Sequence, residues 1–482
     1  MPHYLIAFAT IFLASACILF SYINYLKSNF QTAAFLLVAA GFFLRFFVAS
    51  DLFLHEWDER YHALVAKNMM DNFFEPKLYR LALLPYDYRD WSSGYIWLHK
   101  QPLPLWCMAI SMKLFGVNEI ALRLPSVIIS GIAVYLTYFI GKRLFSEKIG
   151  LLAAFFHAIN GLIIEITGGR VATDHIDVFF LFFVELAVVF SIIYSEKPKM
   201  LFNVLTGICI GLAVLCKWLP AFIVLPIWLI LNYNRAGLFK TATSLLVILI
   251  SASVVFTPWQ IYAHGKYPME YANEMLHNYR HFVEVLDGNG GGFFYFFDKL
   301  FITLNEFIWI AFAWFCVKIY KDKTPLSGGT KVGAAALATW VIIPFIFFTF
   351  AKTKMQGYLL FTYPALFVVL ASFCDWLLNQ NKNPKMVLLQ RVLFAVIVGL
   401  SIRFSIERMK PLQDQSVQLS WANEFRKMDD KTGKKVYFNV KHCIEGMFYT
   451  NSIMYGYLPT VQQVDDLKTK GYEVVINNNP NL

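Results

Sequence analysis

The first residues with the types for chemistry are His55-Glu56-Trp57-Asp58-Glu59-Arg60-Tyr61-His62, directly after an apolar run. A helix leaving a bilayer usually ends in Trp, Tyr or Lys, whose amphipathic side chains suit the interface. Paired carboxylates at that level are unexpected, because a partly desolvated acid is costly unless it is used or paired. If used, Asp58 could take a proton from an attacking hydroxyl. Partial desolvation at the rim of a cavity would raise its pKa and help it do so near neutral pH. Glu59 stands beside it as a second acid. The plainer alternative is a solvated loop with Arg60 as the partner.

Cations that could receive an anion recur along the chain. His99-Lys100-Gln101-Pro102 leads into a short apolar run. Lys100 could bind a phosphate as a point charge, or could simply snorkel to the interface. Gly168-Gly169-Arg170-Val171-Ala172-Thr173-Asp174-His175-Ile176-Asp177 opens the next span with two carboxylates near its end. Capping explains Asp174, since a helix N-terminus favours negative charge, but it leaves Asp177 one turn inside without a partner. His175 reads as a hydrogen-bonding residue before it reads as a metal ligand, and a divalent metal is the minority reading. Lys217 sits between two closely linked spans. Lys352 and Lys354 follow a Phe-rich run and lead to Tyr358.

The elements that must position these residues are membrane helices. Of 482 residues 58% are hydrophobic and only 15% charged, against about 25% charged in soluble domains. Soluble packing is excluded. The net charge of +10 would suit nucleic acid in a soluble protein, but most Lys and Arg lie in short loops between apolar runs. The expected partners are therefore the lipid bilayer and phosphate-bearing substrates, with no nucleic acid. The seven cysteines are scattered, without zinc or disulfide spacing.

Runs long enough to span a bilayer need roughly 17–25 residues. They fall near 4–25, 33–50, 120–141, 149–166, 175–194, 201–216, 218–232, 241–262, 301–319, 332–351, 357–378 and 387–405, about twelve spans. The shorter run 102–116 opens on Pro102 and Pro104 and reads as a helix lying in the interface. One alternating set of loops holds Lys27; Lys142, Arg143 and Lys148; Lys197 and Lys199; Arg235 and Lys240; Lys321, Lys323 and Lys331; Lys382 and Lys385. The positive-inside rule makes that set cytoplasmic. The other set faces outward: 51–119, 167–174, the turn at Lys217, 263–300, 352–356 and the tail 406–482. The residues singled out above lie there or at the adjoining ends of spans. Cations on the outer side run against the charge bias, which suggests a phosphate site facing a carboxylate site. In the tail, 435–440 and 472–476 read as strands and 461–470 as a helix. The expected architecture is an all-α polytopic membrane protein, with a transmembrane catalytic domain over 1–405 and a small extracytoplasmic α/β domain over 406–482.

At these residues the chain resembles the GT-C membrane glycosyltransferases. It is most similar to the branch holding the bacterial lipid A aminoarabinose transferases and the protein O-mannosyltransferases. The resemblance runs over 33–380 and rests on ordered motifs. These are Asp58-Glu59 with Ala66 and Met69; Lys100-Gln101-Pro102-Leu103; and Leu114-Phe115-Gly116 with Arg123-Leu124-Pro125. Gly169-Arg170 with the acids after it, Lys217 followed by Pro220, Pro258-Trp259, and Lys352-Thr353-Lys354 with Tyr358 and Pro364 complete the order. His99 stands where members of the aminoarabinose type often have an acid.

The resemblance implies an inverting transfer at the outer face of a bacterial inner membrane. A polyprenyl-phosphate sugar is the donor, and a hydroxyl or phosphate of an envelope lipid, glycan or protein is the acceptor. Asp58 is then the base, with Glu59, Asp174 and Asp177 as second-acid or acceptor positions. Lys100, Arg170, Lys217, Lys352 and Lys354 are phosphate ligands, and Tyr358 belongs to the substrate site. The competing reading is a lipid-linked sugar flippase. Transporters place substrate-binding charges near the midplane, whereas this cluster falls on one face.

Overall fold

A computed structural model describes residues 3–172, 175–232, 237–322, 329–380, 383–428 and 433–479. Asp174 and the loop cations Arg235, Lys323 and Lys382 lie outside the described residues.

Long apolar runs become helices because hydrocarbon offers no partner to a free backbone group. The chain opens with a hairpin of α1 (His3–Leu26) and α2 (Phe30–Ala49). The first long loop carries α3 (Asp58–Met69) and α4 (Pro102–Phe115). Next come α5 (Glu119–Leu144), α6 (Glu147–Ala158), α7 (Gly161–Thr167), α8 (His175–Glu196) and α9 (Met200–Lys217). A 3₁₀ turn, Leu219–Ile223, leads into α10 (Val224–Asn232). Then α11 (Leu238–Lys266) reaches the second long loop, which holds α12 (Pro268–Val283). The bundle ends with α13 (Tyr295–Thr303), α14 (Ile308–Lys321), α15 (Gly329–Phe350), α16 (Tyr363–Asn379) and α17 (Pro384–Met409).

Among the described residues nine helices are long and apolar enough to cross a membrane, or eleven if each of two bent pairs is one span. The run 149–166 bends by 51° between α6 and α7, and 301–319 bends by 107° between α13 and α14. Residues 218–232 form a 3₁₀ turn and a short helix. Each break has named partners for the backbone groups it frees. Arg45 donates to the carbonyls of His157 and Ala158 at 3.2 and 3.0 Å, and Asn160 caps α7 by accepting from the Ile163 N–H at 3.0 Å. Asn305 accepts from the Phe307 N–H just before α14 at 3.0 Å.

The expected interface helix, α4, packs on α3 and α5 and buries Met108, Ala109 and Met112. The tail forms α18 (Ser416–Lys427), β1 (Lys435–Phe438), α19 (Cys443–Tyr449), β2 (Ile453–Met454), α20 (Val461–Thr469) and β3 (Glu473–Ile476). Its strands are all parallel, in the order β2-β1-β3, with Val436 opposite both Ile453 and Val474. Leu64 and Met69 of α3 share one hydrophobic core with Phe425, Val436, Phe438 and Phe448 of the tail. That shared core fixes α3, and with it the acids at its start.

Candidate active site

The two adjacent acids point to different environments. Successive residues on a helix diverge by about 100°, so Asp58 and Glu59 cannot share a face. Trp57 starts α3 at φ 71°, ψ −139°, a region that bulky residues rarely occupy and that persists where the surroundings over-determine it.

Glu59 turns into the bundle and is fully buried. It accepts from Arg123 Nε and Nη2 at 2.6 and 2.9 Å and from the His55 N–H at 2.6 Å. His55 Nδ1 and His175 Nε2 lie 2.7 and 3.2 Å from it. Burial alone would raise its pKa; Arg123 and His55 hold it well below the usual carboxylate range. Gly169, at φ 73°, lies against this knot. A Cβ there would overlap Glu59 Oε1 and stand 2.9 Å from His175 Nε2, so both the space and the backbone demand glycine.

Asp51 anchors the other half of the knot, 2.8 Å from Arg170 Nε, 3.0 Å from His55 Nε2 and 2.7 Å from Gln415 Nε2. Arg170 also donates to the Met409 carbonyl and lies 5.5 Å from the Phe47 ring centre. The expected phosphate ligand thus ties the end of α2 to the end of α17.

Asp58, unlike Glu59, keeps some exposure. Lys100 Nζ stands 3.1 Å from its carboxylate, and both side chains are largely covered. Burial opposes the charge on Asp58, but Lys100, with His62 and His99, outweighs it and holds the carboxyl well below the usual range. This corrects the expectation of a raised pKa: a cation in contact beats partial desolvation. His99 stacks on Trp91 at 4.5 Å and lies 3.3 Å from Glu274 on α12. His277 follows at 5.2 Å from His99, and burial, with His99 next to it, pushes its pKa down to about 4. Among the described residues no group of three or more His, Cys, Asp or Glu is arranged to hold a metal ion.

Asp177, the acid that capping did not explain, pairs with Lys217 at the end of α9. Lys217 Nζ lies 4.8 Å from the centre of the Tyr358 ring. The charges of Asp177, Asp58 and Asp287 all act on Tyr358, so the two acid–cation pairs share one neighbourhood. Trp218, directly after Lys217, sits at φ 65°, ψ −148°, the same strained conformation as Trp57 before Asp58.

The last two cations go elsewhere. Lys354 is buried, and its Nζ donates to the carbonyls of Thr349, at 2.8 Å, and Ala351, capping the end of α15. Lys352 has an exposed side chain. The segment between them is pinned to the second loop: Thr353 N–H donates to the His281 carbonyl at 3.0 Å and Lys354 N–H to that of Asn289 at 2.8 Å. Asp58, Lys100, Asp177, Lys217 and Tyr358 therefore come together, while Glu59, Arg170 and Lys354 hold the frame. Sequence reasoning missed Asp51, His55 and Glu274, and it left Arg123 in a motif without a role. An Arg inside a spanning run was the available signal for Arg123. For Glu274 it was the spacing to His277 and His281, which places all three on one helix face.

Residues 99–262 match the family model described as dolichyl-phosphate-mannose-protein mannosyltransferase. An uncharacterized protein of Aquifex aeolicus is 25% identical over 325 residues, 65% of this chain and 60% of its own length. The undecaprenyl phosphate-alpha-4-amino-4-deoxy-L-arabinose arabinosyl transferase 2 of Pseudomonas fluorescens is 23% identical over 284 residues, 56% of this chain and 49% of its own. The matches thus span only 60% and 49% of these relatives' lengths. The crystal structure of ArnT from Cupriavidus metallidurans bound to undecaprenyl phosphate superposes with a TM-score of 0.65 at 15% identity, covering 91% of this chain and 89% of that one. The chain is a multi-pass membrane protein with the GT-C fold. Within that class it is similar to the aminoarabinose transferases and the protein mannosyltransferases.

Proposed function

We propose that the protein is an inverting glycosyltransferase that moves a sugar from a polyprenyl-phosphate donor to a hydroxyl or phosphate of an envelope acceptor. The observation that carries this reading is the meeting of Asp58 and Lys100, in contact, with Asp177, Lys217 and Tyr358. An acid to take a proton and cations to receive a phosphate are what such a transfer needs. The acceptor oxygen attacks the anomeric carbon, and Asp58 takes the hydroxyl proton. The bond from that carbon to the phosphate oxygen breaks, and its electron pair leaves on the lipid phosphate, where Lys100 and Lys217 stabilise it. Glu59 acts as a positioning residue. The names of the relatives and the lipid bound to ArnT support an undecaprenyl-type carrier. The charge bias of the loops supports an active site on the outer face of a bacterial inner membrane. The unit 1–405 carries the chemistry, and 406–482 braces its first loop.

The test is reconstitution of the purified protein in vesicles with a polyprenyl-phosphate sugar and an envelope extract. Transfer of the sugar to an acceptor in the extract, blocked by Asp58→Asn, is the expected result. Movement of intact donor across the bilayer without transfer would overturn the reading in favour of a flippase.

A further inference from the structure

The two cations assigned above to the departing phosphate each already hold a carboxylate: Lys100 holds Asp58 and Lys217 holds Asp177. A base clamped by a lysine is a poor base, because the proton it accepts must compete with that cation. We infer that Lys100 is a shared cation that passes from Asp58 to the lipid phosphate, so that the donor itself arms the base. The inference rests on the donor reading above and adds an order of events to it.

The charges balance along this path. A donor phosphodiester carries one negative charge and the departing lipid phosphate carries two. As the anomeric bond breaks, the phosphate gains the charge that Asp58 loses on taking the acceptor proton. A single lysine between the two groups compensates both halves, and it moves towards the phosphate as the carboxylate is neutralised. The surroundings leave few other ways to offset that change. Around Asp58 stand His62 on its own helix, His99 and Lys100 before α4, and Glu274, His277 and His281 on α12. Lys217 pairs with Asp177 and lies over the Tyr358 ring, on which the charges of Asp58 and Asp287 also act. Burial keeps His277 and His281 below their ordinary pKa, and burial followed by Lys100 does so for His99, which disfavours a charge on these rings. Lys100 is in ion-pair contact with Asp58, 3.1 Å away.

The experiment uses the whole protein in lipid nanodiscs and undecaprenyl phosphate as the probe. Calorimetric titration near pH 6 in buffers of different ionisation enthalpy reads protons taken up per lipid bound, for the natural protein and for Asp58→Asn. The expected result is greater uptake by the natural protein, and binding to Asp58→Asn about tenfold tighter because no carboxylate competes for Lys100. A pair that only holds structure would instead give equal uptake and weaker binding in the variant. With a turnover assay in hand, the acid limb of kcat should lie at least about one pH unit above that of kcat/KM for donor. In Lys100→Gln the two limbs should coincide. Lipid binding with equal uptake in both proteins overturns the shared-cation step and leaves the donor reading standing. If the lipid does not bind the natural protein at all, the donor reading itself falls, and this inference with it.

Discussion

Arg123 grips both oxygens of Glu59, at 2.6 and 2.9 Å, with neither side chain reaching solvent. Removing one member of such a pair strands the other charge in the bundle, which costs about 3–5 kcal/mol. Arg123→Ala should therefore lose most of its folded yield, and its thermal transition in detergent should fall sharply. Any loss of turnover should track the loss of folded protein. A variant that unfolds at the natural temperature but fails to turn over would move Arg123 and Glu59 from the frame into the reaction.

Gly169 makes the same knot sensitive to one methyl group. Its positive φ and the absence of space beside Glu59 Oε1 predict that Gly169→Ala destabilises by about 1–3 kcal/mol. The thermal transition of the variant checks this, and an unchanged midpoint would mean that the Glu59 cage yields.

The lysines divide by what they touch. Lys354 caps carbonyls at the end of α15, whereas Lys217 faces Asp177 and Tyr358. Lys217→Ala should weaken donor use by roughly 10–150-fold, the value of a lost charged hydrogen bond of about 1.5–3 kcal/mol. Lys354→Ala should lower stability and leave donor affinity of the surviving folded protein close to natural. Donor titrations on both variants decide it, and the reverse pattern would exchange the two roles.

Sidedness is open to direct measurement. Cysteines placed at Asp90 and Lys470 should react with an impermeant thiol reagent from outside, and one at Glu147 should not. The seven natural cysteines are first removed; six of them lie in or beside apolar runs. Labelling at 147 but not at 470 inverts the topology and takes Asp58 to the cytoplasmic side.

Much of this was legible in the sequence, for reasons that differ by residue. The spans were readable because a bilayer demands continuous apolar runs, and their ends placed Asp58, Lys100, Asp177, Lys217 and Tyr358 on one face. What the pattern could not give was direction. Glu59 is as acidic as Asp58 and one residue away, yet helix geometry sends it into a cage of Arg123, His55 and His175. Arg170 and Lys354 read as phosphate ligands from the sequence because cations on the outer side are unusual. Their partners, Asp51 and the carbonyls ending α15, are tertiary neighbours that local spacing does not reveal. The short strand β2 and helices α18 and α19 escaped because their apolar positions are completed by α3, far away in the chain.

The pH dependence of Asp58 joins its structure to its proposed work. Its folded carboxyl is held below the ordinary aspartate value of about 3.9, so the stabilisation by Lys100 is complete above that pH and is lost as pH falls through the lowered folded value. Between pH 5 and 7 the free protein therefore keeps Asp58 ionised, and kcat/KM for donor should show no limb from this residue. Asp58→Asn keeps the size and hydrogen bonding of the side chain and removes its basicity. We expect turnover to fall by roughly 10²–10⁴, the usual value of a general base, while undecaprenyl phosphate still binds. The variant should also lack the loss of stability that the natural protein shows below about pH 4. In vitro transfer from a purified polyprenyl-phosphate sugar, with lipid binding followed separately, supplies both numbers. Near-normal turnover in Asp58→Asn would remove Asp58 as the base, and the proton would have to be taken by a group other than this acid, with Asp177 the next to replace.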